Sequence, residues 1–299
     1  MHKNSDFCGS QNTSIGQARH GVARTLQHAG FEAAQRDARL LIEIATGLRA
    51  EEVILQDSQP LTPAQIAVLT GAVARRLRHE PISRIRGTQM FYGREFQISP
   101  DVLDPRPETE LLIDVVLDYV DAHGGRHAPW RLADVGTGSG CLIVTLLAEL
   151  PHAVGVASDI SPAALKVAGR NAELIGVAGR VRFVAGANLE PFADPVDVLV
   201  SNPPYIATEQ IAQLSSAVQD FDPVLALDGG SDGLAMYRVL AAQLRPFVPS
   251  GLIALEVGAG QARAVADLLR TGLGSALRTL TMREDLGGHI RCVAVETQC

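Results

Sequence analysis

Between residues 16 and 80, apolar side chains recur at intervals of three and four, and no strand-like run interrupts them. Ala38, Leu41, Ile42 and Ala45 form one stripe, with Gly47 placed to end it; Ile66, Leu69, Val73 and Leu77 form another. The second stripe follows Thr62 and Pro63, with Gln65 in reach of Thr62, which together make an N-cap, a first-turn proline and a capping-box partner. Spacing of this kind marks helices with one apolar face. Residues 16–81 therefore predict a small helical domain, preceded by a flexible polar tail over residues 1–15. Residues 82–103 change texture. β-Branched and aromatic residues surround Gly87 and Gly93, which predicts a β-hairpin connector.

From Pro105 onward short apolar runs alternate with helical stretches. The runs fall at residues 132–135, 154–157, 181–184, 196–200 and 252–257. One intervening helix is punctuated at both ends, by Ser161 and Pro162 at its start and Gly176 at its stop, with Leu165, Ala168, Ala172 and Ile175 as its stripe. Strand and helix in alternation predict an α/β domain over residues 104–299, with a mostly parallel sheet and helices on both faces. Its end differs. Apolar runs at residues 277–282 and 290–295 flank Gly287 and Gly288, which predicts a C-terminal antiparallel hairpin.

Composition narrows the function classes. A net charge of −7 opposes non-specific binding to nucleic-acid phosphates. The first thirteen residues carry no apolar core of a signal peptide, and the longest apolar runs fall short of the roughly 18 residues that span a bilayer. Cys8, Cys141, Cys292 and Cys299 lie far apart, without zinc-site or disulfide-framework spacing. Reduced thiols, a cytoplasmic location and no metal are expected.

Three motifs follow three predicted strands. The first is the glycine-rich turn Gly136, Thr137, Gly138, Ser139 and Gly140 after Asp134, where missing side chains let backbone approach a ligand. It departs from the dinucleotide fingerprint, because Cys141 stands at that pattern's third glycine. The second is Asp159, a carboxylate placed to accept hydrogen bonds from both ribose hydroxyls of an adenosine ligand. The third is Asn202, Pro203, Pro204 and Tyr205. In a parallel sheet ligands bind beyond the carboxyl ends of the strands, so all three would meet on one edge.

The third motif has its own chemical logic. Two prolines fix the backbone and hold the Pro203 carbonyl in one direction. With the Asn202 side-chain oxygen it offers two acceptors for the two N–H bonds of an amide or aryl amine. Such a nitrogen is a poor nucleophile, and pulling on both N–H groups favours positive charge developing on it. Tyr205 offers a flat face to a planar group.

These residues resemble the class I methyltransferases and, more narrowly, the release factor glutamine methyltransferase family. The resemblance spans the helical N-terminal domain, residues 104–110 (Asp-Pro-Arg-Pro-Glu-Thr-Glu), the glycine loop, residues 201–205 and residues 225–234 followed by Tyr237 and Arg238. It implies a Rossmann-like methyltransferase domain preceded by a helical substrate-recognition domain. It also implies S-adenosylmethionine as cofactor, with S-adenosylhomocysteine as product, and methylation of the glutamine in the Gly-Gly-Gln loop of class I peptide release factors. By position, Gly136 to Gly140 and Asp159 would hold the cofactor, with Asn188 or Ala187 at its adenine and Asn202 nearby. Many relatives carry an acid where Ala187 stands. Asn202, Pro203, Pro204 and Tyr205 would hold the glutamine. A monomer is expected.

Other readings stay open at this point. A ribosomal-protein glutamine, or an adenine in DNA or RNA, could be the acceptor; the latter would need a flipped base and a basic groove. A nucleotide-binding module without catalysis is a further alternative. Arg75, Arg76, Arg78, His79, Arg84 and Arg86 make a basic stretch that is either a solvated helix end or a contact for an acidic protein or ribosomal RNA. His20, His28, His152 and His289 have no ligand-spaced partners, Trp130 is expected to pack between domains, and Asp228 and Asp232 belong to a turn or to the substrate mouth.

Overall fold

Ser14 accepts a hydrogen bond from the Gln17 backbone, and the Gln17 side chain accepts one from Ser14, so a capping box opens the first helix. The computed structural model describes residues 13–190 and 192–298, in two compact units that divide after Gly87. Most of the predicted tail, Cys8 and Cys299 lie outside the described residues.

The first unit holds α1 (Ile15–His28), α2 (Ala34–Thr46), α3 (Ala50–Leu55), α4 (Pro63–Arg76) and α5 (Ile82–Arg86). Both apolar stripes face one core, where Leu41, Ile42, Leu69 and Val73 meet Val22 and Leu26 of α1. Gly47 closes α2 in the left-handed conformation, and Thr62 with Gln65 caps α4. Residues 82–86 are helical rather than part of a hairpin. Pro81 stands in extended backbone before that helix and Gly87 turns left-handed after it, which sets both ends of a single turn. The basic stretch is largely engaged within the unit: Arg75 pairs with Glu80, Arg76 with the buried Asp37, and Arg86 with Glu43. Arg76 also lies over the Phe31 ring, on which His79 stacks.

The second unit opens with the hairpin β1 (Thr88–Phe91) and β2 (Arg94–Gln97), whose Phe91 and Phe96 enter the unit's core. Then come α6 (Glu110–His123), β3 (Arg131–Val135), α7 (Cys141–Glu149), β4 (Val154–Asp159), α8 (Pro162–Ile175), β5 (Val181–Ala185) and β6 (Val198–Ser201). After the short helices α9 (Thr208–Ile211) and α10 (Ser216–Gln219) follow α11 (Ala235–Phe247), β7 (Leu252–Glu256), α12 (Ala262–Leu273), β8 (Leu277–Glu284) and β9 (Ile290–Thr297). The seven strands run in the order β5-β4-β3-β6-β7-β9-β8, parallel through β7, with β9 antiparallel to both β7 and β8.

Alternate strand residues face opposite layers, which explains why these runs are apolar throughout. Leu132, Val198, Val200 and Leu252 point to the core under α6 and α7; Ala133, Leu199, Ile253 and Leu255 point to the core under α11 and α12. Trp130 belongs to the first of these cores. Its ring meets Tyr119 of α6 edge-on and its N–H donates to the Gly125 carbonyl, so the expected interdomain role gives way to packing inside the unit. Chain order reverses direction across the sheet between β3 and β6, and that switch point locates the site. Among the described residues no helix is long and apolar enough to cross a membrane.

Candidate active site

Beyond the carboxyl ends of β3, β4 and β6 lies a cavity of about 370 Å³, lined by the glycine loop, Asp159, Asn188, Asn202 and the segment from Pro100 to Thr109. The loop is held from three sides. Gly136 and Thr137 both donate to the Ser158 carbonyl at 2.9 Å, Gly138 donates to Asp159 Oδ2 at 2.9 Å, and Asn171 of α8 donates to the Ser139 carbonyl at 2.8 Å. Gly136 and Gly138 have φ of +72° and +54°, and a Cβ on either would meet no protein atom. The backbone there is open to a ligand. Gly140 serves packing instead, since a Cβ would press on Ala168.

Asp159 accepts from Gly138 through one oxygen and from Ser161, at 2.8 Å, through the other. Each oxygen keeps a further lone pair for a ligand hydroxyl. Ala187 and Asn188 line the same cavity, with Asn188 left-handed at φ +52° and its carbonyl accepting from Ser158. Below the loop, Asp134 is fully buried. Thr137 donates to its Oδ2 at 2.6 Å, among the described residues its Oδ1 has no hydrogen-bond partner, and burial pushes its pKa up to about 7. The loop, the carboxylate and the cavity suit an adenosine-bearing cofactor.

Asn202 enters from the other side, directly after β6. Ser201 anchors that strand end by donating to the Val135 carbonyl at 2.6 Å. Asn202 Nδ2 donates to Thr109 Oγ1 at 3.1 Å. Among the described residues no hydrogen bond engages Asn202 Oδ1 or the Pro203 carbonyl. Asn202 and Pro204 line the cavity; Pro203 and Tyr205 do not. Where the sequence predicts a flat face for the substrate, the Tyr205 ring packs against Gly258, whose missing side chain leaves it room. Burial pushes the Tyr205 hydroxyl up to about 12.

Residues 225–234 form the floor of this loop. Ile206 and Leu227 bond through their backbones, as do Gly229 and Ile206, and Thr208 and Gly230. A Cβ on Gly229 would strike the Pro204 carbonyl, and one on Gly233 would strike the Tyr205 carbonyl. Gln261 Nε2 donates to that same Tyr205 carbonyl at 2.8 Å. Asp228 accepts from Thr208 and Gly230, and Asp232 pairs with Arg238, so both acids hold the turn. Residues 104–110 fold over the opposite edge, tied by Arg106 to the buried Asp222 and by Glu110 to the Tyr92 backbone.

The PrmC N-terminal domain family matches residues 17–87, and the methyltransferase small domain family matches residues 109–221. The chain is 44% identical over 269 residues to a release factor glutamine methyltransferase of Rhodospirillum rubrum, covering 90% of this chain and 80% of that protein. A protein of the same name from Bradyrhizobium diazoefficiens is 41% identical, covering 86% of each chain. The chain belongs to the release factor glutamine methyltransferase family. The crystal structure of the hMettl16 catalytic domain in complex with a MAT2A 3′UTR hairpin shares the fold, with a TM-score of 0.54 and 18% identity, over 67% of this chain and 74% of that one. Family membership explains why segments 104–110 and 225–234 are recognisable: each braces one side of the Asn-Pro-Pro-Tyr loop.

Two residues escape the sequence reading. Thr109 sits within the recognised Pro-Arg-Pro-Glu-Thr-Glu segment, where the sequence assigns it no role of its own. Glu256 ends the apolar run of β7, and a lone acid in such a run is the signal that marks it. It is 2% exposed, and burial pushes its pKa up to about 7, while hydrogen bonds from Thr109 and Asn202 pull it down.

Proposed function

We propose that this chain transfers a methyl group from S-adenosylmethionine to the side-chain amide nitrogen of the glutamine in the Gly-Gly-Gln loop of a class I peptide release factor. The observation that carries the reading is the single cavity that joins the glycine loop and Asp159 to Asn202. Bound S-adenosylmethionine supplies an electrophilic methyl group. Asp159 holds the ribose hydroxyls, Gly136 to Ser139 provide the close backbone wall, and Asn188 lies at the adenine. Asn202 Oδ1 and the Pro203 carbonyl accept the two N–H bonds of the glutamine amide.

Those two acceptors do the electrostatic work. An amide nitrogen shares its lone pair with its carbonyl, and attack through it places positive charge on nitrogen. Fixed acceptors on both N–H groups stabilise that charge as it forms, and they need no reorganisation because prolines and the glycine-rich floor already set them. The methylated nitrogen is acidic and loses its proton afterwards, so no strong base is required beside it. Pro204 closes the cavity, while Tyr205 fixes the loop through its packed ring and its carbonyl. The same reading makes the enzyme a monomer acting in the cytoplasm on a protein, with no nucleic-acid target of its own.

The test is incubation of the purified protein with methyl-labelled S-adenosylmethionine and a recombinant class I release factor, beside a factor whose Gly-Gly-Gln glutamine is alanine. Label on the normal factor alone is the expected result. Equal label on both, or label on a ribosomal protein or nucleic acid with none on the factor, would assign another acceptor.

A further inference from the structure

We infer that Thr109 and Glu256 are positioning residues that determine which end of the Asn202 amide faces the substrate. The inference rests on the reading of Asn202 as the acceptor of a substrate N–H. The two ends of an asparagine amide are nearly the same size, and only the oxygen end can accept a hydrogen bond. A reversed amide would present an NH₂ to the substrate NH₂, donor against donor. Something in the protein must distinguish the two orientations, because the backbone of the loop does not.

The neighbours of Asn202 supply that distinction. Its Nδ2 donates to Thr109 Oγ1 at 3.1 Å. The Thr109 hydroxyl, which is 2% exposed, has its own proton left to give, and it acts on the buried Glu256 carboxylate in the sense that favours the ionised form. The Asn202 side chain favours the same ionised form, and among the described residues Glu256 Oε2 is buried without a hydrogen-bond partner. An ionised carboxylate only accepts. A reversed Asn202 would turn its oxygen toward a buried anion and take the Thr109 proton away from it. Burial strengthens that penalty, since unpaired and repelling polar groups cost most where water is absent.

The groups facing Glu256 leave it the one that changes charge near neutrality. From the segment after β2 come Glu108 and Thr109, and from the loop after β6 Asn202 and Tyr205. Tyr237 of α11 donates to the Glu256 carbonyl, Arg291 and Cys292 face it from β9, and Cys141 faces it from α7. Burial pushes Tyr205, Cys141 and Cys292 up to about 12 and Tyr237 well above 10, so these stay neutral. Arg291 and Glu108 contribute opposite fixed charges. As pH rises through about 7, Glu256 loses its proton and becomes a pure acceptor. The orienting force on Asn202 grows with it.

The test compares wild type with T109V, T109S and E256Q, all close in shape to the native side chains. Each is assayed for methyl transfer to a recombinant release factor at saturating cofactor, across neutral pH, and for S-adenosylhomocysteine affinity by calorimetry. T109V and E256Q should each lower kcat about tenfold, less than the roughly hundredfold loss on removing a hydrogen bond made directly to the substrate, with KM and S-adenosylhomocysteine affinity within about twofold. T109S keeps the hydroxyl and should recover most of what T109V loses. Wild-type turnover should rise through pH 7, and E256Q should flatten that rise. Wild-type kcat and pH profile in both T109V and E256Q, or a loss confined to cofactor affinity, would overturn the inference while leaving the substrate reading intact. No transfer by the wild-type protein would overturn the substrate reading itself.

Discussion

Asp159 accepts two backbone N–H groups, from Gly138 and Ser161, and still presents lone pairs to the cavity. One carboxylate thus shapes the glycine loop and, in the proposed role, holds the ribose. Asp159→Ala should weaken S-adenosylhomocysteine binding roughly ten- to a hundredfold, the scale of hydrogen bonds to a charged group, and lower kcat less than it lowers affinity. Calorimetry beside single-turnover kinetics checks this, and unchanged affinity would contradict the assignment. Asn202 works the other way. On the proposed reading Asn202→Ala would leave one substrate N–H unpaired, and it should cut turnover by about two orders of magnitude with cofactor affinity retained. The placement of both residues is legible in the sequence because each follows a recognisable strand at the sheet edge where the cavity lies. Glu256 is not, because its meaning comes from Thr109 and Asn202, which only the fold brings to it. Tyr205 is a third case: its place in the motif is legible, but its orientation depends on the space left by Gly258.

At the scale of elements, the Asn-Pro-Pro-Tyr loop is closely packed by other segments, which approach its backbone at Pro204 and Tyr205. Gly233 has φ +74° and lies so close to the Tyr205 carbonyl that a methyl group would displace it. Gly233→Ala should therefore shift the loop and lower turnover about tenfold or more, given the sensitivity of catalysis to small misplacement, with S-adenosylhomocysteine affinity little changed. Proportional losses in both quantities would mean that Gly233 supports the whole cavity rather than the loop. The strands are legible because a sheet covered on both faces demands uninterrupted apolar runs. α5 is not, because five residues between Pro81 and Gly87 are too few to show helical periodicity and their branched side chains suggest a strand. The hairpin that follows is short, and its two phenylalanines make it part of the catalytic unit's core.

The whole molecule carries a pH signature. Asp134 and Glu256 are both buried and both pushed up to about 7, whereas unfolded they titrate near 4. Between these values the native protein holds protons that the unfolded chain has released. These groups therefore favour the fold below about pH 4 and make stability fall as pH rises toward 7. The acids whose pKa values are lowered, such as Asp232 at about 2, act only on the acid side of that window. The thermal midpoint of the ligand-free protein should decline from about pH 5 to about pH 7.5, and D134N should flatten the decline. An unchanged slope in D134N would show that Asp134 is ionised throughout. The division of the chain into a helical unit and an α/β unit is legible from the change in apolar period, and the net charge of −7 already turned the reading away from nucleic acid.

The central claim is the identity of the acceptor atom, and fragmentation mass spectrometry of a class I release factor treated with this protein and S-adenosylmethionine tests it most directly. The account predicts one added methyl group on the Gly-Gly-Gln peptide, with fragments placing it on the glutamine side chain. A methyl group on any other residue, or an unmodified peptide from a reaction in which the protein had turned over its cofactor, would contradict it.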